Sequence, residues 1–118
     1  MPRYYGIYLD VKERLGIVFG GDQHEGERKV KYLLECGAIV KLFSPENEIS
    51  TTLHKMASTG EIEWINRKYQ YGDLEGAWVV IVADTSSQET NNAISKEAKE
   101  RNILLNVMDI TPLYTWIA

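Results

Sequence analysis

A single cysteine, Cys36, leaves this 118-residue chain no partner for an internal disulfide, and a lone thiol suits a reducing compartment. No apolar run approaches the ~20 residues that span a bilayer. The opening Met1-Pro2-Arg3-Tyr4-Tyr5 lacks the apolar core of a signal peptide. Basic charge is scarce: 13 Lys and Arg stand against 17 Asp and Glu, for a net charge of −4. The cations are scattered, so they offer no footprint for nucleic acid. With three prolines, no repeat and no low-complexity stretch, nothing divides the chain into parts. These absences predict one cytoplasmic globular domain, or a piece of a longer protein, with neither a membrane nor a nucleic-acid partner. A hydrophobic content of 44% beside 25% charged residues suffices for a core.

What is present begins with Leu15 to Gly37. The apolar run Ile17-Val18-Phe19 meets the pair Gly20-Gly21. After Asp22-Gln23-His24-Glu25 and Gly26 comes a segment with Val30, Leu33 and Leu34 on one helical face, and Gly37 ends it. Strand, glycine turn and helix form the opening unit of a dinucleotide-binding fold, in which a phosphate approaches backbone N–H groups at the helix start. The turn is not GxGxxG, however. Asp22 and Glu25 place negative charge where a pyrophosphate would sit, and His24 and Arg28 are the nearby groups that would offset it.

The alternation continues along the chain. Tyr4 to Val11 reads as a short strand or an extended lead-in. Ala38 to Phe43 is the second strand, stopped by Ser44-Pro45. Ile49, Leu53 and Met56 mark a second helix closed by Gly60, and Ile62 to Ile65 a third, edge strand. Tyr69 and Tyr71 are expected to anchor the polar stretch that follows. Ala77 to Ala83 is almost wholly apolar, as a parallel strand covered on both faces should be. Ser86 to Glu89 reads as a capping box, with Ser86 the cap of a helix running to about Arg101. Ile94 and Ala98 form its inner face. Ile103 to Met108 is the last strand, and Asp109 lies at its carboxyl end. The expectation is a Rossmann-like three-layer α/β/α fold around a five-stranded parallel sheet of order 3-2-1-4-5. The apolar tail from Ile110 to Ala118 suggests a truncated chain, in preference to a segment that packs on another domain or chain.

Ligands of such sheets sit beyond the carboxyl ends of the strands. That rule selects Gly20, Gly21, Asp22, Gln23 and His24 in the turn, and Asp84 and Thr85 after the fourth strand. It also selects Ser44, Pro45 and Glu46 after the second strand, where a dinucleotide enzyme places a ribose-binding acid. No arginine stands there to hold a 2′-phosphate, although these residues alone leave both NAD and NADP open. Asp109 is placed to act as a general base. His24 and His54 share no metal-ligand spacing, so no metal site is expected, and Cys36 is expected to pack at the helix end as a small apolar group.

An ordered set of short patterns resembles the N-terminal domain of the precorrin-2 dehydrogenase / sirohaem synthase family. It comprises Gly6-Ile7-Tyr8-Leu9-Asp10, the glycine turn running into Glu27-Arg28-Lys29, and Leu33-Leu34-Glu35-Cys36-Gly37-Ala38. Further on come Ser44-Pro45-Glu46, Gly60-Glu61-Ile62-Glu63-Trp64, Tyr71-Gly72-Asp73-Leu74, Asn91 and Asn106-Val107-Met108-Asp109. The resemblance implies NAD-dependent oxidation of precorrin-2, a modified tetrapyrrole, to sirohydrochlorin. It implies iron insertion in some members, a homodimer formed by a downstream region, and Asp109 as the catalytic carboxylate. Thr85 matches the family's threonine on the nicotinamide side, whereas Asp84 stands where the family often has alanine. The turn departs too: the family's third glycine is replaced around Asp22, the loop is one residue longer, and Gly26 takes the small position. The alternative is a non-catalytic module with a degenerate NAD site that binds a tetrapyrrole or a partner protein. A receiver domain fits less well, for no acidic cluster follows the first strand.

Overall fold

The computed structural model describes residues 5–107. In chain order the elements are β1 (Leu15–Phe19), α1 (Glu25–Glu35), β2 (Ile39–Phe43) and α2 (Thr51–Ser58). They continue as β3 (Glu63–Ile65), β4 (Val79–Val82), α3 (Gln88–Glu100) and β5 (Leu104–Val107). Every strand pairing is parallel and the order is β3-β2-β1-β4-β5, the predicted topology. Asp109 and the apolar tail lie outside the described residues.

Alternation along the central strands builds the two sides of the core. Val18, Val79 and Ile81 pack with Val30 and Leu33 of α1 and Leu53 of α2. Their neighbours Ile17, Phe19, Val80 and Val82 pack with Ile94 and Ala98 of α3 on the opposite side. Side chains on a strand point alternately to its two faces, so a strand buried on both must be apolar throughout. No helix among the described residues is long and apolar enough to cross a membrane.

Of the two readings of the lead-in, its described part follows the extended one: it forms no strand, and Val11 and Leu9 dock on the core while Tyr8 is exposed. Three other local expectations need correction. Ser87, not Ser86, caps α3, its Oγ accepting from Thr90 N at 3.2 Å. The N–H of Ser86 is instead turned back on the Asp84 carboxylate at 3.0 Å, which delays the helix by one residue. Cys36 is exposed, at the C-cap position just beyond the end of α1. Tyr69 anchors its loop as expected, but Tyr71 lies on the surface, where its Oη donates to the Glu100 carboxylate at 3.0 Å and Arg101 lies over its ring at 5.9 Å.

The loop between β3 and β4 is tied down by two carboxylates. Asp73 takes both guanidinium arms of Arg67 at 2.8 Å and the N–H of Gln70 at 2.7 Å. Glu97, on α3 and wholly buried, accepts from Tyr69 Oη, from Gly72 N at 2.9 Å, from Leu74 N at 3.2 Å and from Arg101 Nε at 2.8 Å. Burial pushes this carboxyl up, but these hydrogen bonds together outweigh burial and hold it below the usual glutamate range. A carboxyl depressed in the folded state stabilises the fold above its unfolded pKa, and that contribution is lost as pH falls through the folded value. Glu97→Gln is therefore expected to remove about 2–4 kcal/mol at neutral pH by stranding the donors around it. Urea unfolding from pH 7 down to 3 should show parent stability falling with acidification, and a shallower fall in the variant.

Candidate functional site

The helices after β1 and β4 lie on opposite faces of the sheet, so the chain diverges between these neighbouring strands and opens a crevice at their carboxyl ends. Glycine makes the close approach possible. Gly20 has φ +106°, and a Cβ there would lie 2.7 Å from the Asp84 nitrogen. A Cβ on Gly26, in the first turn of α1, would lie 2.2 Å from the Gly20 carbonyl oxygen. The first turn of α1 is thus pressed against the end of β1, as such nucleotide turns require.

The start of α1 is not open, however. Its N-cap position, His24, makes no side-chain cap. Asp22 caps from two residues upstream: Oδ2 accepts from His24 N and Glu25 N, both at 3.1 Å, and Oδ1 accepts from Gly26 N at 2.7 Å. A carboxylate is stable at this positive end of the helix dipole. It fills the position in which such folds hold a phosphate.

The remaining selected residues divide into groups. Gly20, Gly21, Asp22, Asp84 and Thr85 line the crevice, and Pro45 lines its continuation toward Phe43 and Tyr69. Ser44 is buried behind Gly21, where a Cβ would meet its Oγ at 3.0 Å. Glu46 is exposed, its N–H donating to Asn66 Oδ1 at 2.7 Å. Gln23 and His24 sit on the outer side with Glu27, Arg28 and Lys31. Asp109 lies outside the described residues. Among the charged residues described in the crevice, Glu48 and Lys68 escaped sequence reasoning. Lys68 reaches from the tied loop to bridge Glu48 at 3.2 Å and Asp84 at 3.5 Å. It is the one cation among the described residues lining the crevice. Burial pushes Asp84 up, but the Ser86 contacts and the Lys68 charge prevail and hold it below the usual carboxylate range. No group of three His, Cys, Asp or Glu among the described residues is arranged to hold a metal ion.

Fold and crevice together define the class: an open α/β domain of the dinucleotide-binding type. A family model described as "Putative NAD(P)-binding" matches residues 7–117. The siroheme synthase of Methylobacillus flagellatus is 37% identical over 111 residues, covering 94% of this chain and 23% of that protein. The siroheme synthase of Pseudoalteromonas atlantica is 35% identical over 115 residues, covering 98% and 24%. Among solved structures, SirC, a precorrin-2 dehydrogenase, matches with a TM-score of 0.72 at 27% identity, over 88% of this chain and 49% of that one. The chain belongs to this family, as the NAD(P)-binding domain that siroheme synthases and precorrin-2 dehydrogenase carry. It spans about a quarter of the length of the curated relatives it matches.

The glycine backbone of the crevice fits a dinucleotide, whose pyrophosphate would have to displace the Asp22 carboxylate from the α1 amides. The glycine crossing leaves room for close approach, yet Asp22 already holds the amides at the α1 start. Two unit charges of like sign at 4 Å repel by about 1 kcal/mol even in water. The crossing itself is testable. Gly26→Ala must displace the Gly20 carbonyl, so it is expected to cost about 1–3 kcal/mol, read as a lower urea midpoint with an unchanged m-value. An unchanged midpoint would show that the turn and helix are not pressed together.

Proposed function

We propose that this domain serves in the oxidation of precorrin-2 to sirohydrochlorin, within a longer cytoplasmic homodimer. The observation that supports this reading most is the glycine crossing at the β1–β4 divergence, in a chain related to siroheme synthases. NAD is the oxidant of this proposal rather than NADP, since Ser44-Pro45-Glu46 after β2 offers no cation for a 2′-phosphate. Gly20, Gly21, Asp84 and Thr85 face the cofactor, and Asp109 supplies the carboxylate that acts on the tetrapyrrole. Iron insertion belongs to the same longer protein.

The Asp22 carboxylate on the α1 amides favours a second reading, a tetrapyrrole- or protein-binding module whose NAD site has lapsed. A precorrin-2 oxidation assay separates the two, using the domain together with the downstream region of its relatives. The first reading expects NAD-dependent formation of sirohydrochlorin, with kcat falling at least ~100-fold in Asp109→Ala. Absence of turnover in the intact protein contradicts it and leaves the second.

A further inference from the structure

We propose that Asp22 is a built-in competitor for the pyrophosphate of a dinucleotide, and so the residue that sets which ligands the crevice accepts. The proposal rests on the dinucleotide reading of the crevice. Its ground is geometric. Both oxygens of the carboxylate are engaged with three consecutive amides, His24, Glu25 and Gly26, at 3.1, 3.1 and 2.7 Å. No side chain at the N-cap position supplies an alternative acceptor. A diphosphate can reach these donors only after Asp22 has left them, and Asp22 can leave only by uncapping α1.

The surroundings add to the same effect. Among the described residues, three carboxylates, Asp22, Glu48 and Asp84, line the crevice with Lys68, whose ammonium is already bridged to Glu48 and Asp84. Arg28, the nearest arginine in sequence, is paired to Glu25 on the outer side of the helix. A pyrophosphate would bring two more negative charges to a place where three carboxylates face one engaged cation. A nucleoside meets no such opposition. Asp22 therefore discriminates by phosphate charge: adenosine enters on the crevice's own terms, and NAD must displace the internal anion.

The test is calorimetric titration of NAD and of adenosine into the parent chain, Asp22→Asn and Asp22→Ser. Asparagine and serine both keep a neutral acceptor at the start of α1, and thermal melts check that the helix persists. The expected result is at least a tenfold gain in NAD affinity in both variants, with adenosine affinity unchanged within about twofold. NAD binding to the parent with no gain in either variant overturns the proposal and leaves the dinucleotide reading standing. Equal gains for NAD and adenosine also overturn it, since the loop would then merely have opened. NAD binding to none of the three proteins overturns both the proposal and the dinucleotide reading. A further measurement needs no variant: millimolar inorganic pyrophosphate should leave the His24, Glu25 and Gly26 amide resonances of the parent unmoved. Saturable shifts of these three resonances would contradict the competition.

Discussion

An α-helix begins with amides that have no partner inside the helix, and something must take them. In this chain the helix that follows β1 begins at the centre of the sheet's carboxyl edge, where the strands diverge. An anion from the chain itself occupies its first amides. Asp22 is that anion. The contact that completes the helix takes the donors that a phosphate would need, so in the proposed reading stability and binding compete for one set of donors.

The other side of the crevice depends on a second arrangement, remote in sequence. Glu97 and Asp73 fix the loop between β3 and β4, and Tyr69 on that loop stacks edge-on against Phe19 at 5.6 Å. Lys68 is thereby delivered to the mouth of the crevice, where it joins Glu48 to Asp84. A buried carboxylate on α3 thus positions a cation some distance away. Tyr69 keeps its proton well above the usual tyrosine range, through burial first and the hydrogen bond to Glu97 second. It is a tether in the neutral form.

Much of this was legible in the chain because it follows from periodicity. A strand such as Val79–Val82, buried on both faces, must be apolar at every position, and a helix such as Gln88–Glu100 must carry Ile94 and Ala98 on one face. The order of the sheet followed from the alternation of such segments. The site was less legible. Gly20 and Gly21 announce a crossing, and the charge of Asp22 was evident, but its engagement with three amides depends on how the lengthened loop folds back. Lys68 and Glu48 stand 20 residues apart, and Tyr69 and Glu97 stand 28 apart. No local pattern announces such pairs. The spacing of Ser86 to Glu89 is that of a capping box and points to Ser86 as the cap of α3, but Asp84 claims its N–H and Ser87 takes the cap.

The central claim is that a side-chain carboxylate, rather than solvent, holds the first amides of α1. Amide hydrogen exchange at His24, Glu25 and Gly26 measures this directly. All three should be protected in the ligand-free parent and should lose that protection together in Asp22→Ala, while amides later in α1 keep theirs. Exchange of the three in the parent as fast as in an open turn would contradict the account.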